Sequence, residues 1–147
     1  MINSRSLSDL NPKVAAMASE FITRCKNENI DVIITSTYRD AEAQTALYAI
    51  GRTVKGANPT AKKPMGSTVT NAKAGQSFHN WRVAFDFVPI VGGKALWSDD
   101  DLWTKCGEIA EGIGLEWAGR WTSFKEFPHC QFTNGLTLAD FQQGKTL

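Results

Sequence analysis

Histidine is scarce in this sequence, which has only 2 in a chain of 147 residues, His79 and His129. Imidazole chemistry is therefore confined to two places. The three cysteines lie far apart and form no CxxC pair, which excludes a cysteine-rich zinc site. We interpret Cys25, Cys106 and Cys130 as small buried thiols. No run of about 18 apolar residues occurs, so we expect no stable insertion into a membrane.

Signals for export and for general nucleic-acid binding are also absent. Met1 to Leu10 contain no apolar run, so we expect no signal peptide and synthesis in the cytoplasm. The net charge of +1 argues against a general nucleic-acid binder. With 42% apolar and 21% charged residues, the composition is that of a globular protein. The length predicts a single domain over residues 1–147.

Acidic residues are missing from one long stretch, between Glu42 and Asp86. The same stretch contains the basic residues Arg52, Lys55, Lys62, Lys63, Lys73 and Arg82. Residues 52–76 combine glycines and prolines with little hydrophobic periodicity, which predicts a long loop that is functional or mobile. The basic stretch is therefore either a solvated loop or a surface that meets an anionic polymer or membrane.

Separated helices and short strands follow one another along the chain, which predicts an α+β fold. Helices are expected where apolar residues recur every three or four positions, and strands where β-branched or aromatic residues cluster. The predicted helices are Pro12–Lys26, Asp40–Ile50, Asp99–Gly112 and Thr137–Gln143, and the predicted strands are Asp31–Thr37 (buried), Val83–Val88, Leu115–Ala118 and His129–Phe132. Asn11, Ser98 and Thr137 are the expected helix caps, and Gly92-Gly93 is the expected turn.

Each histidine has a carboxylate near it in the sequence: Asp86 follows His79, and Glu126 precedes His129. Asp86 lies inside an otherwise apolar strand, where a carboxylate is costly unless it is paired or binds a metal. Glu126 precedes His129 by three residues. Two imidazoles and one carboxylate form a common catalytic zinc shell with an open position, and a second carboxylate can then take a proton from water. Because His79 and Asp86 are an odd number of residues apart, the chain must bend between them.

Several motifs surround these residues. The segment Ser77–Asp86 reads S-x-H-x-x-x-x-A-x-D, and Glu126–His129 reads E-x-P-H. Ser36–Arg39 with Gln44, Leu47–Tyr48 and Gly51–Thr53, together with Val69–Ala72 and Leu115–Trp121, extend the pattern. The set resembles the M15 family of zinc peptidases, which includes D,D-carboxypeptidases, D,D-dipeptidases and phage L-alanyl-D-glutamate endopeptidases. The resemblance covers about residues 30–135.

The resemblance implies a small antiparallel sheet with flanking helices and a zinc site like that of the D,D-peptidases and hedgehog proteins. It implies that His79, Asp86 and His129 bind one zinc ion. It also implies that Glu126 is the general base and then the acid for the leaving amine.

Arg39, Ser77 and Trp121 receive their expected roles from the same resemblance. Arg39 corresponds to a family arginine that steadies the substrate carbonyl or the oxyanion, with a surface salt bridge as the alternative. Ser77 corresponds to a serine that binds substrate or supports the site, or it is a turn-forming hydroxyl. Trp121, like Trp81 and Trp117, flanks a motif and either lines the cleft or belongs to the core.

The function implied is a zinc-dependent peptidoglycan peptidase of the endolysin type that hydrolyses the L-Ala–D-Glu bond of the stem peptide. The alternatives are a D-Ala carboxypeptidase of the same family and a non-catalytic, zinc-containing wall-binding module. Peptidoglycan is the expected partner, and we expect a monomer that has no separate wall-binding domain. Such a protein acts in the periplasm or cell wall after a holin has opened the membrane.

Some residues depart from the family pattern. Arg82 replaces a usual glycine and either strains the backbone there or extends its charge towards substrate. Ala118 and Arg120 replace glycine and aspartate in a segment that holds neither the expected ligands nor the base. Cys130 follows His129, and alternation along a strand is expected to turn it away from the metal. Phe21, Trp97 and Trp103 are the aromatics expected in the core.

Overall fold

Four helices and five short strands make up the structure, a computed structural model that describes residues 1–147. In chain order they are α1 (Pro12–Asn27), β1 (Asp31–Ser36), α2 (Ala41–Ala49), β2 (Ala84–Val91), β3 (Lys94–Ala95), α3 (Asp100–Ile113), β4 (Glu116–Trp117), β5 (His129–Gln131) and α4 (Leu138–Gln142). Short 3₁₀ turns occur at Leu7–Asp9, Phe78–Trp81 and Ala118–Arg120. No helix combines the length and the apolar character that crossing a membrane requires.

The strands form one antiparallel sheet in the order β1–β2–β5–β4, with β3 paired to β2. The small antiparallel sheet and its flanking helices confirm the predicted α+β class. β2 is central, and its register sets Asp86 opposite His129 of β5. The pairing of two strands that are distant in the sequence therefore brings one predicted metal ligand beside another.

Helices α1 and α3 supply most of the helical core. α1 begins at Pro12 behind the cap Asn11, as predicted, and it buries Val14, Ala18, Phe21 and Cys25 at the spacing of one helical face. Phe21 lies 4.8 Å from Phe87 and 5.9 Å from Phe85, measured between ring centres, so α1 is fixed against β2. The three cysteines are free and buried, as the sequence predicts.

Three local predictions are wrong. β1 pairs only with β2 and is an edge strand, so Ile33 is 49% exposed rather than buried. Asp99 rather than Ser98 caps α3, because its carboxylate accepts the Leu102 N–H at 3.1 Å at the positive end of the helix. Trp97, predicted in the core, is 57% exposed in the segment that joins β3 to α3.

The Gly92-Gly93 turn closes the hairpin between β2 and β3. Both glycines have positive φ (60° and 78°), which favours a two-residue turn that matches the twist of the strands. Ile90 pairs with Ala95 and Val91 with Lys94, so β2 extends beyond the predicted end at Val88.

The indole of Trp117 packs where α3 and the turn at Ala118–Arg120 each present a glycine. A Cβ atom added to Gly107 or to Gly119 would overlap the Trp117 ring. We therefore expect Gly107→Ala to destabilise the protein by about 1–3 kcal/mol through overpacking. The matched variant Gly112→Ala, also in α3, has its nearest neighbour at 3.9 Å and is expected to stabilise by about 0.5–1 kcal/mol.

Urea unfolding followed by tryptophan fluorescence measures both changes. Equal effects of the two substitutions would show that Trp117 does not require the space at Gly107.

Candidate metal and active site

His79 is positioned by the 3₁₀ turn Phe78–Trp81. The Ser77 hydroxyl accepts the His79 backbone N–H at 3.3 Å, and the Asn80 side chain accepts the Ser77 N–H at 3.2 Å, so the turn is closed at its start. The imidazole is buried, and its Nδ1 lies 2.8 Å from the carbonyl oxygen of Thr37. A carbonyl only accepts, so Nδ1 carries the proton and Nε2 presents a lone pair to Asp86. The turn is the bend that the odd spacing between His79 and Asp86 requires.

Asp86 and His129 face each other across the β2–β5 pair. His129 Nδ1 lies 3.3 Å from Asp86 Oδ1, and His79 Nε2 lies 3.2 Å from the same oxygen. His129 Nε2 lies 2.8 Å from the side-chain oxygen of Gln131, to which it donates its proton. Both imidazoles therefore have their protonated nitrogen turned outward and the other nitrogen turned towards one carboxylate oxygen.

The donor set of this site fits a metal ion. One ligand atom from each of His79, Asp86 and His129 lies within 4.8 Å of the others. When the protons are on the outward nitrogens, each imidazole turns a lone pair towards the same carboxylate oxygen, an arrangement that a cation stabilises. This is the ligand chemistry that zinc prefers in catalytic sites. His79, Asp86 and His129 are therefore the residues that would hold it.

Asp86 shifts the pKa of both histidines, and both histidines shift the pKa of Asp86. Burial alone would raise the pKa of Asp86, but the two imidazoles hold that pKa well below its ordinary value. Burial lowers the pKa of His79, and the neighbouring Asp86 only partly opposes it. Burial also acts to lower the pKa of His129, but its contact with Asp86 outweighs this and raises the pKa. Asp86 is thus ionised and available as a ligand.

Glu126 lies at the open side of the site. Its Oε2 is 3.8 Å from His129 Nδ1, and its side chain is 59% exposed to the cleft. The backbone is fixed because Glu126 N–H donates to Ala118 O at 3.2 Å and Glu126 O accepts from His129 N–H at 3.4 Å. A tethered, solvent-accessible carboxylate beside the ligands is suited to exchange protons with water.

Arg39 contacts the other oxygen of Asp86. Its Nη2 lies 3.6 Å from Asp86 Oδ2, and its Nη1 donates to Gln44 Oε1 at 3.0 Å. Gln44 is fully buried and donates to the carbonyl oxygen of Ala72 at 2.9 Å. Arg39 is only 11% exposed, so its ion pair is part of the site and not a surface salt bridge.

A cleft with a volume of about 1090 Å³ leads to the three ligands. Residues 68–72 and 76 of the long loop line it, together with Ser77 and residues 124–128. Ser77, Arg39 and Glu126 all border the cleft. The predicted long loop is thus a wall of the candidate site. Trp97, predicted in the core, also borders the cleft.

The three tryptophans that flank the motifs have different positions. Trp121 lines the cleft, with its ring 5.7 Å from that of His129 and its Nε1–H donated to Glu116 at 2.8 Å. Trp117 is buried in the core, and Trp81 stacks on Phe141 at 6.3 Å away from the cleft. Of the three, only Trp121 is placed to contact a ligand in the cleft.

Arg82 does not reach the cleft. It has φ +64°, which L-residues rarely adopt, and its guanidinium stacks 3.7 Å above the Tyr38 ring and donates to Asp9 O at 2.8 Å. Arg52 likewise stacks on Tyr48 at 3.7 Å. These two arginines of the basic stretch therefore support the fold.

The other two residues that depart from the family pattern, Ala118 and Arg120, also lie outside the ligand set. Arg120 is paired with Glu111 at 3.2 Å, and Ala118 is buried. Cys130 is buried in the core, turned away from the ligands as predicted.

The sequence analysis did not identify Gln131 or Gln44 as functional residues. Gln131 follows His129 by two positions in β5, and side chains two apart on a strand share a face. This spacing is the sequence signal that could have placed Gln131 beside His129. Gln44 belongs to the motif that carries the family resemblance, but the sequence assigned it no role, because its contacts with Arg39 and Ala72 depend on the folding of the long loop.

The contact between His129 and Gln131 leads to a prediction about zinc affinity. Gln131→Met keeps the size of the side chain but removes the acceptor for His129 Nε2–H, which frees the imidazole to change tautomer and orientation. We expect zinc affinity to fall about 10- to 100-fold, measured by competition with a chromophoric chelator. Gln143→Met, at an exposed position beyond α4, is the control and should bind zinc as the wild type does. An unchanged affinity in Gln131→Met would contradict this role.

Known proteins resemble this chain over the segment that contains the site. A family model described as D-alanyl-D-alanine carboxypeptidase matches residues 70–132, a range that contains His79, Asp86, Glu126 and His129. The peptidoglycan L-alanyl-D-glutamate endopeptidase CwlK of Bacillus subtilis (strain 168) is 35% identical over 133 residues, which are 84% of this chain and 74% of that protein. The L-alanyl-D-glutamate peptidase of Listeria phage A118 is 29% identical over 134 residues, 88% of this chain and 41% of that protein.

A solved structure shares the fold. The vancomycin resistance D,D-pentapeptidase VanY, as an E175A mutant in complex with Zn(II), superposes with a TM-score of 0.63 at 15% identity. The superposition covers 90% of this chain and 83% of that one.

Proposed function

This chain belongs to the M15 peptidase family, and we propose that it is a zinc-dependent peptidase that hydrolyses the L-Ala–D-Glu bond in the stem peptides of peptidoglycan. The observation that carries the proposal is the convergence of His79, Asp86 and His129 on one point of a cleft, with Glu126 beside them. The names of CwlK and the Listeria phage enzyme support the choice of bond.

Glu126 performs the proton transfers in this proposal. When bound, zinc supplies a Lewis acid that polarises water and the scissile carbonyl. Glu126 Oε2 takes a proton from the attacking water and delivers it to the leaving nitrogen of D-Glu, because it is exposed to the cleft and its backbone is fixed. The carboxylate is thus base first and acid afterwards.

Arg39, Ser77 and Trp121 orient the reactants. Arg39 borders the cleft as a fixed cation, held by Asp86 and Gln44, and is suited to stabilise negative charge on the carbonyl oxygen. Ser77 closes the turn that carries His79 and also borders the cleft. It can therefore both support His79 and contact the substrate. Trp121 offers an aromatic surface close to His129.

Digestion of purified sacculi tests the proposed bond. We expect mass spectrometry to show stem peptides shortened by L-Ala, with D-Glu as the new amino terminus. Intact stem peptides after digestion under conditions where the protein holds zinc would contradict the proposal.

A second candidate is a D-Ala carboxypeptidase, favoured by the description of the matching family model. It predicts free D-Ala in the same digests. A non-catalytic wall-binding module predicts binding to sacculi without any hydrolysis, but such a module has no use for a base such as Glu126 beside the ligands.

We propose further that the protein is an endolysin, a role supported by the phage relative. As such it would be a monomer made in the host cytoplasm, and it would reach the wall after a holin has permeabilised the membrane. Expression in a bacterial host tests this role: lysis is expected only with a co-expressed holin, and lysis without one would contradict the route.

A further inference from the structure

Lys125 borders the cleft directly before Glu126. The other lysine or arginine bordering the cleft, Arg39, is paired with Asp86 and bound to Gln44. Lys125 forms no ion pair with any carboxylate of the chain. It is therefore the cation of the cleft that is available to an anionic ligand.

The surroundings of Lys125 hold it in place. Its ammonium lies 5.0 Å from the centre of the Phe127 ring, a favourable cation–π contact. Phe127 is itself stacked against Trp103 at 6.1 Å and against Trp117 at 6.0 Å, so the position of its ring is fixed. Phe124, the residue before Lys125 in the chain, is 75% exposed and has φ +54°, a conformation that bulky residues rarely adopt. Strained residues of this kind cluster at ligand-binding segments.

The chemistry of D-Glu supplies a matching anion. Glutamate has two carboxyl groups, and the stem peptide continues through the side-chain one. The α-carboxylate is therefore free, and it is attached to the carbon that bears the scissile nitrogen. Glu126 must approach that same nitrogen to protonate it, so the free carboxylate lies near the residues next to Glu126. Without a cation there, the negative charges of Glu126 and the substrate would repel each other.

We propose that Lys125 forms a carboxylate subsite that recognises the free α-carboxylate of D-Glu on the leaving side of the scissile bond. This inference rests on the proposed function and adds a specificity determinant to it. Lys125 binds and orients the leaving residue, whereas Glu126 transfers the proton.

Two synthetic stem peptides test the subsite, one with the free α-carboxylate on D-Glu and one with that group converted to a primary amide. The zinc-loaded wild type is expected to cleave the acid about tenfold more efficiently than the amide, mainly through a lower KM. Lys125→Gln is expected to lose about tenfold in kcat/KM on the acid and less than about twofold on the amide. Lys125→Arg should retain the preference, and Lys26→Gln, at an exposed position in α1, should behave as the wild type does.

The outcomes separate this inference from the proposed function. An unchanged preference in Lys125→Gln, or an equal loss on both peptides, would overturn the subsite while the peptidase activity stands. Cleavage of neither peptide by the wild type would overturn the proposed function and the subsite with it.

Discussion

Glu126→Gln is expected to reduce peptidoglycan hydrolysis by about 10²- to 10⁴-fold while zinc remains bound. The amide has nearly the shape of the carboxylate but cannot accept a proton from water or return one to the leaving nitrogen. Zinc binding should persist because the ligand atoms belong to His79, Asp86 and His129, and Glu126 Oε2 lies 3.8 Å from His129 Nδ1. Hydrolysis is measured as stem peptides released from sacculi, and zinc content by elemental analysis.

Glu28→Gln is the matched control for this experiment. Glu28 is 56% exposed, close to the 59% of Glu126, and caps the end of α1 away from the cleft. We expect it to retain full activity. Undiminished hydrolysis by Glu126→Gln would remove the assignment of Glu126 as the base, and loss of zinc from that variant would make Glu126 a ligand instead.

Asp86→Asn is expected to abolish both zinc binding at micromolar concentrations and hydrolysis. One oxygen of Asp86 lies within 3.3 Å of a nitrogen of each histidine, so the substitution removes the negative charge from the centre of the donor set. It also removes the ion-pair partner of Arg39, which is only 11% exposed and retains its hydrogen bond to Gln44. The metal-free variant should therefore lose about 1–3 kcal/mol of unfolding free energy, the cost of leaving a largely buried charge without its counter-charge.

Calorimetric zinc titration and urea unfolding of the metal-free proteins measure these effects. Asp31→Asn, at the exposed start of β1, provides the control and should change neither quantity appreciably. Zinc binding by Asp86→Asn with wild-type affinity would exclude Asp86 from the ligand set.

The sequence predicts the parts of this protein that depend on local patterns. The spacing of Val14, Ala18 and Phe21 predicts α1 and its buried face, and an aspartate within an apolar strand marks Asp86 as a paired or metal-binding group. The odd separation of His79 and Asp86 predicts a bend, which the turn at Phe78–Trp81 supplies.

Features that depend on contacts between distant segments escape sequence analysis. Trp117 is a core residue because Gly107 and Gly119, from different elements, leave space for its ring. Trp97 is exposed in the segment that joins β3 to α3, and no pattern in the sequence indicates that no other element covers it. Likewise, the proton on His79 Nδ1 is fixed by the carbonyl of Thr37, 42 positions earlier in the chain.

Reconstitution of the metal-free protein tests the central claim most directly. The protein is stripped with a chelator, divided, and incubated with sacculi either without metal or after addition of one equivalent of zinc. We expect hydrolysis only in the reconstituted sample, with one zinc bound per chain and D-Glu as the new amino terminus of the stem peptides. Equal release of these products by the metal-free sample would contradict the account.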